Sequence, residues 1–198
     1  MSTSEETRIL WAELEASASS CKNCPLGNTR TNCVLGCGDR NADLMFVGEA
    51  PGESEDLSGI PFVGRAGKLL DKYLEAVGIE RDSVYICNIL KCRPPQNRDP
   101  LPAEEDACIG YLRRQVRLVK PKIIACLGRV SGMKFVDPNL RITKDHGKWV
   151  KKGDFWMTVV YHPSYLLRPN VGAREQMLTD MKSIKAKLDE IRNSENQA

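Results

Sequence analysis

Eight cysteines, two histidines and a run of acids behind an apolar segment are the parts of this 198-residue chain that could do chemistry. Cys21 and Cys24 stand in "CKNC", a spacing that lets two thiolates reach one metal centre from a single turn. Cys92 in "LKCRPP" and Cys108 in "DACIGY" bracket a stiff proline loop and bring the set to four. Four thiolates without histidine suit zinc or an iron-sulfur cluster, and spacing leaves both open. Cys33 and Cys37 form a C-x3-C pair that could compete as ligands, although "NCVLGCGD" reads more like an apolar strand and turn. Cys87 and Cys126 lie inside apolar runs, where a thiol acts as a small hydrophobe.

The stretch "VGEAPGESED" follows the apolar run "LMFV" and packs Glu49, Glu53, Glu55 and Asp56 around two glycines. Glycines open main-chain N–H groups to an anion, but four carboxylates would repel a free phosphate, so a different ligand is expected. Asn88 closes another apolar run, and its amide can donate and accept at once. His162 in "YHPSYLLR" stands at the end of a third run.

These residues need a scaffold that brings strand ends together. Residues 5–19 suggest a helix with Ile9, Leu10 and Leu14 on its inner side. Strands are expected at 44–47, 83–90, 122–128 and 155–161, with helices at 66–77, from Pro102 to about Val119, at 129–135 and at 173–191. Polar turns fill 151–154, and "NSENQA" reads as a frayed tail, so that about 5–192 of one 198-residue domain would be ordered. Strands alternating with helices predict a largely parallel α/β sheet, with ligands beyond the carboxyl ends of the strands. The "GEAPG" turn, Asn88 and "YHPS" all fall there.

Hydrophobic content of 41% and no long apolar run argue against a membrane span. The start "MSTSEETRIL" lacks a basic segment followed by an apolar one, so a cytoplasmic protein with free thiols is expected. A net charge of +3 says little about partners; the local clusters "KCRPPQNR" and "YLRRQVRLVK" say more.

"GEAPGESED", "GIPFVGRAG", "NILKCRPPQNR" and "HPSYLLR", in this order behind a C-x2-C pair, closely resemble the type-4 uracil-DNA glycosylases from about Cys21 to the final helix. The resemblance implies a three-layer α/β/α fold around a four-stranded, mainly parallel sheet. It also implies a DNA repair enzyme, acting on uracil-containing DNA as a monomer, that hydrolyses the bond joining uracil to deoxyribose; a glycosylase for another deaminated base and a non-enzymatic DNA-binding module with a four-cysteine metal centre are the alternatives. Cys21, Cys24, Cys92 and Cys108 become ligands of a 4Fe-4S cluster, with zinc as the alternative.

By the same resemblance Phe62 stacks on an extruded uracil, Asn88 reads its O4 and N3–H edge by donating and accepting at once, and His162 hydrogen-bonds O2 to quench the leaving anion. Glu49, with Ala50 and Pro51, lines the pocket and holds the attacking water; Ala50 stands where better-known relatives place an aspartate. Glu55 borders the pocket and would exclude the methyl of thymine, while Asp56 reads as a solvated acid. Lys91, Arg93 and Arg98 are expected on phosphates. In the last motif Ser164 faces DNA, Leu166 or Leu167 supplies a wedge, and Arg168 supplies a phosphate contact. The proline loop holds no histidine, so the chain reads as a turnover enzyme rather than one that crosslinks to its substrate.

Overall fold

The computed structural model describes residues 3–195. In chain order the elements are α1 (Thr3–Ser19), α2 (Leu26–Thr29), β1 (Cys37–Gly38), β2 (Leu44–Gly48), α3 (Glu53–Ser58) and α4 (Arg65–Ala76). They continue with β3 (Tyr85–Asn88), α5 (Pro102–Val119), β4 (Ile123–Leu127), α6 (Arg129–Phe135) and α7 (Ile142–Asp145). The chain closes with β5 (Trp149–Lys152), β6 (Phe155–Val160) and α8 (Val171–Glu195).

The sheet order is β1-β3-β2-β4-β6-β5. The inner four strands pair in parallel, as expected, and both edge strands are antiparallel additions. Six strands rather than four therefore make up the sheet. The expected polar turn at 151–154 is in part β5 and the start of its hairpin with β6, turned at Gly153, whose φ is +58°. Three of the four β5 side chains are exposed, so no apolar alternation marked it.

Successive side chains on a strand face opposite ways, and here both faces are covered. Leu44, Phe46, Ile86, Ala125 and Val160 join Leu70, Leu74, Met177 and Ile184 of α4 and α8 in one core. Met45, Val47, Cys87, Cys126 and Val159 join Trp11, Leu14 and Leu112 of α1 and α5 in the other. Cys87 and Cys126 are thus the buried hydrophobes expected, and burial pushes their thiols up to about 11 and about 12.

Two details of the helices differ from expectation. In α1 the buried stripe is Trp11, Leu14 and Ala18, spaced by three and four, while Ile9 and Leu10 are exposed. Helix α8 runs on through Asn193, Ser194 and Glu195, with Glu195 paired to Lys122, so that part of the expected tail is helical and 196–198 lie outside the described residues. No described helix is long and apolar enough to cross a membrane.

Strand β2 sits centrally, with the chain winding to β3 on one side and to β4 and β6 on the other. This reversal leaves a crevice beyond the strand ends, the usual place for a ligand in such sheets.

Candidate active site

One broad cleft occupies that crevice, and each parallel strand contributes the residue at or just past its carboxyl end. Glu49, Ala50 and Pro51 follow β2, Asn88 ends β3, Gly128 and Arg129 follow β4, and His162 follows β6. Phe62 enters from the α3–α4 turn.

The floor is built by close approach. A β-carbon on Gly48 would lie 2.3 Å from Asn88 Oδ1 and 2.6 Å from Phe62 Cζ, so only glycine lets the amide and the ring come together there. Asn88 is 1% exposed, and its Oδ1 is buried without a hydrogen-bond partner. A buried, unsatisfied acceptor is costly, and at a cleft it marks the place of a ligand N–H.

Phe62 is 5% exposed and sits at a φ of +55°, a left-handed conformation that costs an L side chain about 1–2 kcal/mol. Neighbours hold it there. Arg81 Nη2 donates to the carbonyls of Pro61 at 3.0 Å and Phe62 at 3.2 Å, while Nη1 pairs with Asp71 on α4. A β-carbon on Gly67 would stand 1.7 Å from the Phe62 oxygen, so the first turn of α4 can close onto this backbone only with glycine. The Phe62 and His162 rings lie 5.8 Å apart at 38°.

His162 has a defined tautomer. The main-chain N–H of Ser164 donates to Nδ1 at 3.2 Å, and Ser164 Oγ lies 2.7 Å from the same nitrogen. Nδ1 is therefore an acceptor and the ring proton sits on Nε2. Burial lowers the imidazole to about 4, so it is neutral at pH 7.

The acids of "VGEAPGESED" divide by task. Glu55 Oε1 accepts from the N–H groups of Val63 at 3.0 Å and Gly64 at 2.8 Å, and Oε2 accepts from Gly52 at 3.1 Å. This carboxylate lines the cleft but staples two loops together. Asp56, expected to be solvated, is buried and accepts from the N–H groups of Thr31 and Asn32. Glu53 is exposed, 3.4 Å from Arg93. Glu49 also lines the cleft, and burial, reinforced by Asp99, raises its carboxyl to about 7.

Residues 35–183 match the family model described as the uracil DNA glycosylase superfamily. A type-4 uracil-DNA glycosylase of Archaeoglobus fulgidus is 44% identical over 176 residues, 83% of this chain and 86% of its own. Those of Thermotoga maritima and Sulfurisphaera tokodaii are each 47% identical, over 75% and 84% of this chain and 78% and 79% of their own. This chain belongs to the type-4 uracil-DNA glycosylases.

Cys21, Cys24, Cys92 and Cys108 line one small cavity between α1, the 91–93 turn and α5. The donors fit an anionic sulfur centre: Arg30 Nη1 lies 3.2 Å from Cys92 Sγ, the Lys91 N–H 3.3 Å from Cys108 Sγ, and the Asn23 N–H 3.5 Å from Cys21 Sγ. Among the described residues no three His, Cys, Asp or Glu side chains converge closely enough to hold a single ion. Cys33 and Cys37 line a separate cavity with Glu15, Arg40 and Tyr85.

The cationic face of this glycosylase needs correction. Lys91, expected on phosphate, is 1% exposed, because its stem and ammonium are enclosed under β3 and α5. Arg98 lines the cleft, but both of its terminal nitrogens bond Glu104, at 2.9 Å and 2.6 Å. Arg93 bonds Asn97 Oδ1 at 2.8 Å and reaches Glu53. Leu166 is fully buried in the α8-side core and cannot wedge into a duplex, whereas Leu167 is half-buried and Tyr165, Ser164 and Arg168 are exposed. Arg65 and Arg129 also line the cleft and were missed in the sequence. Arg129 stands two residues past the end of β4, a position that could have flagged it.

Proposed function

We propose that this chain excises uracil from DNA, hydrolysing the N-glycosidic bond to leave an abasic site. The observation that carries the reading is the unpartnered Asn88 Oδ1, buried beside Phe62 where the four strand ends meet. Uracil presents an N–H at N3 where cytosine presents a bare nitrogen, so an acceptor fixed here selects uracil. Phe62 offers the ring on which the extruded base stacks, and its clamped backbone keeps that face in place before the substrate arrives.

Cleavage leaves negative charge on uracil and positive charge on the sugar. His162, neutral with its proton on Nε2, donates to O2 of the departing base and stabilises the anion without competing for a proton. Glu49, with the main chain of Ala50 and Pro51, orients the water. Its carboxylate, with Asp99 nearby, also favours the cationic sugar. An oxocarbenium-like sugar accepts a weakly activated water, so the alanine at position 50 is no obstacle.

Cys21, Cys24, Cys92 and Cys108 would hold a 4Fe-4S cluster, because all four line one cavity and three of them lie within reach of N–H donors suited to thiolate sulfur. The cluster supplies a crosslink between the N-terminal segment, the proline loop and α5. Arg65, Arg129 and Arg168 reach phosphates, and Tyr165 and Leu167 enter the space left by the base. The enzyme acts as a monomer in the cytoplasm.

The test is release of free base from oligonucleotides carrying one uracil, hypoxanthine or xanthine, with the purified metal-loaded protein. Uracil release with an alkali-labile site is expected, and Asn88→Ala should lose it by about 10²-fold or more. Preferred release of another base, or binding without release, would overturn the reading. Elemental analysis should give iron rather than zinc.

A further inference from the structure

Among the described residues four charged side chains are buried, and three have plain partners. Asp56 accepts main-chain N–H groups, Glu104 pairs with Arg98, and Asp180 pairs with His146. Lys91 differs. Its Nζ donates to the Asn88 carbonyl and to Gln115 Oε1, each at 2.6 Å, and no carboxylate among the described residues pairs with it. Gln115 is itself fixed, its Nε2 donating to Leu35 O and Tyr85 Oη at 2.8 Å. Neutral acceptors satisfy the hydrogens of an ammonium but leave its charge uncompensated, a costly arrangement in a core.

The missing negative charge is next door. Lys91 lines the four-cysteine cavity, precedes Cys92 in the chain, and donates its main-chain N–H to Cys108 Sγ. Four thiolates around a dicationic iron-sulfur core, or around zinc, leave a dianion. Given the metal centre proposed above, on which this rests, we propose that Lys91 is the resident counter-charge of that centre. Through the Asn88 carbonyl it also ties the centre to the base-reading end of β3, which makes it a positioning residue and not a contact to DNA. The same ammonium thus answers why a lysine sits in the core and why a structural metal centre lies behind the uracil-reading strand.

The experiment compares full-length wild type, Lys91→Met, which keeps the stem and drops the charge, and Lys91→Arg, which restores it. Metal content is measured first, then the rate of metal loss to excess EDTA, with far-UV circular dichroism to verify folding. Lys91→Met is expected to lose metal at least about tenfold faster than wild type, and Lys91→Arg to stay within about threefold. With iron present, the midpoint potential of Lys91→Met should move to more negative values, because the reduced centre carries one more negative charge. If Lys91→Met does not fold, Lys91→Gln is read in its place. Wild type without metal would sink the metal centre itself; metal held by the neutral variant at the wild-type rate and potential would overturn the role of Lys91 alone.

Discussion

Glu49→Gln should make this protein more stable and less active, and the stability gain should depend on pH. Burial raises the Glu49 carboxyl from its ordinary 4.5 to about 7. Below pH 4.5 it is neutral in both folded and unfolded chains and costs nothing. Between 4.5 and 7 the unfolded chain releases the proton more readily than the folded one, so stability falls as pH rises; above 7 the whole penalty is present. Full conversion of that interval gives about 3 kcal/mol, and because Glu49 is only partly buried, solvent screening brings it to about 1.5–2 kcal/mol. Glutamine keeps the shape and removes the charge. Thermal unfolding followed by circular dichroism should then show no difference in Tm at pH 4.5, and a variant more stable by about 4–6 °C at pH 8.5. Single-turnover uracil release at pH 8.5 should fall by about 10²-fold, and the wild-type rate should climb as pH rises through about 7. A Tm difference of the same size at both pH values, or a wild type more stable at pH 8.5, would refute the reasoning.

Two further outcomes follow from the cleft. His162→Ala should lower the single-turnover rate by about 10²–10³-fold, as for the loss of one oxyanion donor, and should leave the rise through about pH 7 in place, because that rise belongs to Glu49 and the imidazole stays neutral down to about 4. Arg81→Ala frees the carbonyls of Pro61 and Phe62, so the left-handed backbone at Phe62 relaxes; calorimetric titration should show free uracil binding about tenfold more weakly, although Arg81 is absent from the cleft lining.

How far the amino-acid pattern carries is decided by burial. The four parallel strands are buried on both faces, so they stand out as apolar runs, and the ligand site follows from their carboxyl ends. Strand β5, "WVKK", faces water and pairs on one edge, which leaves no periodicity to read. In α1 three consecutive apolar residues, Ile9, Leu10 and Trp11, leave the inner face ambiguous by one step, and Trp11 takes it. "KCR" looks like a basic patch in one dimension, yet the chain turns Lys91 inward beside Cys108 and leaves Arg93 outside. Asp56 likewise reads as a solvated acid, and the loop-stapling part of Glu55 goes unseen, because their partners are main-chain N–H groups, some of them distant in sequence. The four cysteines, Phe62, Asn88 and His162 were picked out by motifs that resemble a known family, and the fold brings the cysteines to one cavity and the other three to one cleft.

The most direct test of the base-reading site is a crystal structure of the protein with free uracil. The account predicts the base stacked on Phe62, N3–H within hydrogen-bond distance of Asn88 Oδ1, and O2 facing Nε2 of His162. Uracil lodged elsewhere in the cleft, with Asn88 Oδ1 still unpartnered, would contradict it.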